Sequence, residues 1–335
     1  MAALNILAEG LSWLGRHGTA AVAVSMFVGI ALPPLGALLR PYFSETVVVL
    51  LVLAFLRVDP ERLRAQWTRP GLIVWAAAWT MMALPVLCLL LLSGAGLVTI
   101  ESLQRSPGLL LSLTLHAVAP PTFSSPSLAA LIGLNGAISL ALLIACTAAT
   151  PFTSPALVAA FFGPDVAISP FWLGLRLTLI LAGSACAALA IRAIAGKVFI
   201  ERQAERIDGL SVIALFAFAI ALMGDVLGNA IANPLLVLGL IALTTAVSLA
   251  LSALTVVVFL KAGWDAALTL GHSAGSRNMG LMLAAAAGAV PELVWLYVAL
   301  AQFPIYLLPL PFRPLVKRLS AVRPREGGDP GQGLR

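Results

Sequence analysis

The chain has 335 residues, 61% of them hydrophobic and only 10% charged, with a mean hydropathy of +1.03. A soluble domain carries about a quarter charged residues, so this composition excludes an ordinary water-soluble globule and points to the bilayer. The formal charge of +6 is scattered through short segments between apolar runs, which reads as a topology signal and not as a nucleic-acid patch.

From the N-terminus, residues 1–18 are weakly amphipathic and end in Arg16-His17-Gly18. They lack a short apolar core followed by a small-residue cleavage site, so they read as an uncleaved cytoplasmic leader. Ten apolar runs follow, near 19–39, 43–57, 70–92, 107–132, 136–160, 168–194, 208–227, 233–261, 265–290 and 291–312. One crossing takes about 20 apolar residues, so the runs predict about ten helices in one all-α transmembrane domain over 19–315. The second run is short and begins near Pro41, and the fourth and ninth are interrupted by polar and helix-breaking residues. No polar stretch between the runs is long enough to fold alone. Residues 316–335, rich in Gly, Pro and Arg from Ala321 onward, are expected to form a disordered cytoplasmic tail.

Lys and Arg set the orientation. With the N-terminus inside, all of the 20 except Arg40, Arg105, Arg176 and Arg277 fall in inner segments. Arg40 and Arg105 fall in outer loops, and Arg176 and Arg277 inside runs. This bias predicts ten spans with both termini cytoplasmic, in a bacterial inner membrane. The basic inner loops need no ligand beyond the anionic headgroups they meet. Cys88, Cys146 and Cys186 are widely spaced within apolar runs, which excludes a disulfide framework and a zinc pattern and leaves them as packing residues. There is no Gly-x-x-x-x-Gly-Lys nucleotide loop, no His-Glu-x-x-His run and no nucleophile–base set. Neither ATP-driven transport by this chain alone nor an enzyme is expected, and no cofactor is implied.

Ten spans divide into two halves of five, near 19–160 and 168–312. An odd number per half makes the second half enter from the opposite side, the inverted-repeat architecture of many secondary carriers. The fourth run, first half, holds Ala119-Pro120-Pro121-Thr122-Phe123-Ser124-Ser125-Pro126, and three prolines so close together cannot lie in a continuous helix. The ninth run, in the matching position, holds Gly271-His272-Ser273-Ala274-Gly275-Ser276-Arg277-Asn278. Alone, each reads as a kink. Paired, they point to a binding site at membrane mid-depth.

Arg277 stands near the centre of the ninth run, where a charge is costly unless paired, hydrated or bound. It cannot shed its proton. Two roles are open: a structural arginine held by carbonyls freed at the break, or an anchor for a substrate carboxylate or sulfonate, aided by half-helix N-termini. The candidate substrate residues around it are Asn278, Ser276, Ser273, Ser124, Ser125 and Thr122. His116 and His272 flank the two breaks and are candidates for proton coupling as well as ordinary buried histidines. Asn135, Ser139, Thr147, Thr150, Thr153 and Ser154 give the fifth run a polar side, suited to bonding neighbouring helices, with Asn135, Ser139 and Thr147 the candidates for ion coupling. Arg176 has either Asp225 or the membrane interface to satisfy it, while Glu45, Asp265 and Glu292 fall near helix ends.

Two stretches resemble the bile acid:sodium symporter family, within the wider superfamily that holds arsenite and auxin carriers. Residues 119–157, APPTFSSPSLAALIGLNGAISLALLIACTAATPFTSPAL, are similar to that family's helices 4 and 5, which read roughly Pro-Gly-Gly-x-x-Ser-Asn, then Gly-Asp, then Ala-Pro-x-x-x-Pro. Gly275-Ser276-Arg277-Asn278-Met279-Gly280-Leu281 resembles its Gly-x-Gln-Asn-x-x-Leu in helix 9. The resemblance implies a core of helices 3, 4, 5, 8, 9 and 10, a panel of helices 1, 2, 6 and 7, substrate between them and cations behind the crossing of helices 4 and 9. Three family sodium ligands are replaced here, at Pro126, Ser273 and Arg277, the last by a fixed cation. Like charges 4 Å apart oppose each other by about 4 kcal/mol at an effective dielectric of 20, which weighs against two-sodium coupling. Arg277 is then a tethered cation in place of one sodium, and proton-coupled or facilitative transport is expected.

The expected function is secondary transport of a small organic anion. The alternatives are an efflux permease for an inorganic oxyanion or amphipathic carboxylate, and a non-transporting membrane receptor with a degenerate carrier fold. The expected partners are the substrate and the lipid bilayer, with no nucleic acid; the sequence assigns no oligomeric state.

Overall fold

The computed structural model describes residues 9–14, 18–58, 69–94, 106–162, 169–286, 290–307 and 314. Most of the leader, Arg105 and the whole tail 316–335 lie outside the described residues. Helix dominates the rest. Among the described residues the only extended pairing is a single antiparallel bridge between Pro121 and Arg277.

The first run divides at its prolines. Helix α1 (Gly18–Ala31) and α2 (Pro33–Leu39) are separated by Leu32, at φ −124° and ψ 66°, because a residue before proline is driven out of the helical region. A 3-10 turn at Arg40–Tyr42 then leads into α3 (Phe43–Arg57). The leader is not wholly separate from this unit. Residues 9–14 are helical, Leu11 backbone lies against Gly209, and Leu14 lines a cavity with Val212 and Phe216.

The third run forms α4 (Pro70–Ala78), a π-turn at Trp79–Ala83 and α5 (Leu84–Gly94). The fourth run splits into α6 (Pro107–Val118) and α7 (Ser125–Ile132). Pro107 and Pro126 each occupy the first turn of a helix, where a missing N–H costs nothing. The chain then turns at Gly133, whose φ of +89° suits glycine, and the N–H groups of Gly133 and Leu134 close α7 on the carbonyls of Ala130 and Ala129. Helix α8 (Gly136–Phe162) follows, then α9 (Pro170–Ala195), α10 (Lys197–Arg202), α11 (Ala204–Met223), α12 (Val226–Ala232) and α13 (Pro234–Phe259). The ninth run splits into α14 (Trp264–Gly275) and α15 (Met279–Ala286), and α16 (Glu292–Leu307) ends the described fold.

Six stretches are long and apolar enough to cross a bilayer: Pro33–Arg57, Pro70–Cys88, Gly136–Phe161, Pro170–Ala195, Ala204–Ala232 and Pro234–Ala262. Their outer faces are apolar too, with Ile194 88%, Leu235 84% and Trp75 75% exposed. In water such faces would aggregate; in lipid they are the solvated surface. The chain is an integral membrane protein.

Packing sorts the helices into two groups. In one, α11 packs on α1, α2 and α3, and α9 packs on α3. In the other, α8 packs on α4, α7 and α14, while α16 packs on α6 and α13, and α13 lies along α14. The groups are in broad contact: α9 lies on α8 and α15, α11 on α16, α3 on α15 and α12 on α13. Aromatic rings line this contact: across it Phe43 meets Trp295 at 5.1 Å and Phe55 meets Phe123 at 6.0 Å, and Phe43 stacks on Phe218 of its own group at 5.2 Å. The α13–α14 contact is close because α14 turns Gly271 and Gly275 toward it; a Cβ on Gly275 would collide with Ser252 and stand 2.6 Å from the Ser248 carbonyl.

Candidate functional site: the crossing of two broken helices

The prolines that stop α6 leave carbonyls with no helical donor, as does the end of α14. Inside an apolar fold each needs a partner. The two breaks supply each other. The Thr122 N–H donates to the Ser276 carbonyl at 2.8 Å, and the Asn278 N–H donates to the Pro120 carbonyl at 2.7 Å. These bonds bracket the Pro121–Arg277 bridge, so the two interrupted helices are joined by a two-residue patch of antiparallel backbone. Two further carbonyls are taken by side chains. Ser154 Oγ of α8 donates to the Val118 carbonyl at 2.7 Å, and Arg277 Nη1 donates to the Ala119 carbonyl at 2.7 Å.

Arg277 is fully buried, at 0% exposure. Besides Ala119, both its terminal nitrogens donate to the Thr80 carbonyl at 3.3 Å. Thr80 lies in the π-turn of the third run, where the Leu84 N–H reaches back to Trp79. That wide turn re-aims backbone toward a neighbour. The guanidinium therefore ties three segments, α6, the π-turn and the ninth run, and its bonds go to neutral carbonyls. Of the two roles open in the sequence, these contacts are those of a structural cation. Its Nε is buried without a hydrogen-bond partner.

Ser125, Ser139 and Ser273, all at 0% exposure, form a closed hydroxyl triangle with sides of 3.1, 3.1 and 2.7 Å. Ser273 also approaches the Thr269 carbonyl at 3.0 Å. The triangle joins α7, α8 and α14 behind the crossing. Among the described residues no group of three His, Cys, Asp or Glu side chains is placed to hold a metal ion.

On the side of the crossing toward the other helix group stand Thr122, Ser124 and Asn278, each half-buried. Thr122 Oγ1 and Ser124 Oγ are 3.3 Å apart, and Asn278 Oδ1 accepts the Leu281 N–H at the start of α15. Phe218 of α11 closes over Gly280. Beside it a small cavity is lined by Met26, Phe218, Met223, Gln302 and Tyr306. Ser276 is buried, with its backbone engaged on both sides.

The other sequence candidates have local duties. Asn135 Oδ1 caps α8 by accepting the Ala137 and Ile138 N–H groups at 3.1 Å. Thr147 is buried with no hydrogen-bond partner for its hydroxyl. His116 Nδ1 lies 3.0 Å from the Tyr297 hydroxyl, both buried, linking α6 to α16. The Nε2 of His272 is buried without a hydrogen-bond partner. Pro126 sits in the first turn of α7. Asp225 pairs with Arg40 at 2.8 Å, and Arg176 stands on an exposed face of α9.

Sequence reasoning missed Thr80 and Tyr297, gave Arg40 only a place in an outer loop and Ser154 only a place on the polar side of the fifth run. Nothing in Trp79-Thr80-Met81-Met82-Ala83 marks a π-turn. Ser154 shares a helix face with Thr147 and Thr150 and was legible as part of a polar stripe, though not as the cap of α6. No protein-family model matches the chain, and comparison with curated proteins finds no significant match.

Proposed function

We propose that this chain is a secondary carrier of a small organic anion in a bacterial inner membrane, built as two inverted five-helix repeats that cross ten times with both termini cytoplasmic. The observation that supports the reading is the crossing: two interrupted helices satisfy each other's backbone through Thr122–Ser276 and Asn278–Pro120, and the reading takes them as corresponding members of the two halves. Irregular backbone at membrane depth is tolerated where protein buries it or where it lines a cavity, and carriers place their sites there.

The substrate seat is the half-buried side of the crossing, at Thr122, Ser124 and Asn278. Helices α7 and α15 both begin at the crossing, so their positive ends favour a negative group there. Phe218, which closes over Gly280 of α15, suits an organic body. Arg277 is a tethered cation. It holds the crossing through the carbonyls of Ala119 and Thr80 and adds positive potential without touching the substrate. The Ser125–Ser139–Ser273 triangle is satisfied by its own hydroxyls and has no carboxylate, so sodium gains little there.

The test is uptake of labelled organic anions into proteoliposomes at fixed pH and voltage, with inward sodium or inward potassium. Uptake equal in the two salts is expected. Sodium stimulation sinks the tethered-cation account. Stoichiometric binding without flux, for every anion tried, replaces the carrier with a receptor.

A further inference from the structure

We infer that Arg40 is a latch that holds the two helix groups closed at one end of the molecule, an inference that rests on the carrier reading for its purpose. Arg40 lies at the turn between α2 and α3, in the first group. Its Nη1 donates to Asp225 Oδ2 at 2.8 Å, at the α11–α12 junction of the same group. Its Nη2 donates to Glu292 Oε2 at 2.7 Å, and its Cζ stands 4.4 Å over the Trp295 ring. Glu292 and Trp295 belong to α16, in the second group. Asp225 thus fixes the guanidinium on its own side, and the second nitrogen and the cation face reach across.

Below the latch lies an aromatic seam. Trp295 packs on Phe43, Phe43 on Phe218, and the next residue, Ser44, donates from Oγ toward the Ala284 carbonyl of α15 at 3.4 Å. The ion pairs at the far end of α3 differ. Arg57–Asp208 joins α3 to α11, and Arg192 donates to the carbonyls of Leu56 and Val58, so both stay inside the first group. Charge therefore bridges the groups at the Arg40 end, while at the Arg57 end these pairs only stiffen one of them. The latch suits reversible use. The side chains of Asp225 and Glu292 are 56% and 76% exposed, so water can take over each bond as it opens, and salt weakens it. A guanidinium over an indole face adds a contact that needs no desolvated carboxylate.

The test uses the full chain in nanodiscs, with Cys186→Ser to remove the exposed native thiol and Ser44→Cys as a reporter inside the seam. The rate of maleimide labelling reports opening. Glu292→Gln is expected to raise the rate about three- to tenfold, and Arg40→Ala at least as much. Arg57→Ala is expected to leave it unchanged. Raising potassium chloride should speed labelling of the parent and not of Glu292→Gln. Labelling at the parent rate in Glu292→Gln overturns the latch; this exposed substitution keeps the test sound even where Arg40→Ala fails to fold. Uptake measured on the same variants separates the two ideas. Faster labelling with no flux in any variant or in the parent keeps the latch and removes the carrier reading. Flux with unchanged labelling does the reverse.

Discussion

Arg277 meets dipoles and no carboxylate: its terminal nitrogens bond the carbonyls of Ala119 and Thr80, while its Nε is buried without a partner. Removing it leaves two buried carbonyls short of donors, about 1–3 kcal/mol each, offset in part by relief of a buried charge. Arg277→Ala is therefore expected to lower the melting temperature in detergent, and Arg277→Lys to do so less, since one ammonium cannot span both carbonyls as the fork does. An Arg277→Ala protein that melts with the parent and transports normally removes the strut. Ser273 offers a contrast. Its hydroxyl closes the triangle, yet Ser125 and Ser139 stay 3.1 Å apart without it. Ser273→Ala should cost only about 1 kcal/mol by the same thermal melt, with the response to sodium unchanged. The sequence marked Arg277 because a charge in an apolar run is conspicuous. It did not mark Thr80 or Ala119 as its partners, because a carbonyl is common to every residue and only the fold decides which ones lose their helical donors.

At the scale of elements, the breaks were legible and their joining was not. Pro120, Pro121 and Pro126 state that the fourth run cannot be continuous, and Gly271 through Asn278 weaken the ninth. That the two breaks pair with each other depends on backbone bonds between residues more than 150 positions apart, which no local pattern encodes. The same distance hid Arg40, whose partners lie 185 and 252 residues away. The first run was drawn too long as one helix, although Pro33-Pro34 announces the bend that the structure places after Leu32. Two glycines test how tightly these elements are set. At Gly275 an added methyl meets Ser252 and the Ser248 carbonyl, so Gly275→Ala is expected to cost about 1–3 kcal/mol by overpacking, more than the gain in helix propensity returns. At Gly133 nothing stands within 4 Å, and Gly133→Ala should cost only the left-handed strain, about 1–2 kcal/mol. Melting temperatures of the two variants measure this. A Gly275→Ala protein more stable than the parent means that α13 and α14 are free to separate.

At the scale of the whole molecule, two helix groups meet across a face lined with aromatic rings, with the crossing on one side of it. If a substrate seats against Thr122, Ser124 and Asn278, it reaches either membrane face only when that contact changes, so relative motion of the groups is obligatory for transport. A covalent tie across the face must then stop transport, and a tie within one group must not. Phe55 and Phe123 approach across it, with ring centroids 6.0 Å apart, whereas Arg57 and Asp208 are bonded within the first group. In a chain whose exposed Cys186 is replaced by serine, Phe55→Cys with Phe123→Cys and, separately, Arg57→Cys with Asp208→Cys can each be joined by a short reducible bis-maleimide-type linker. The first pair, once joined, is expected to lose more than nine-tenths of its proteoliposome uptake and to regain it when the linker is reduced. The second should keep its uptake through the same treatment, which controls for the chemistry. Recovery on reduction distinguishes a stopped motion from a damaged fold. Full uptake by the joined Phe55–Phe123 pair would mean that substrate passes without the groups moving, as through a channel, and the latch at Arg40 would then have no cycle to serve.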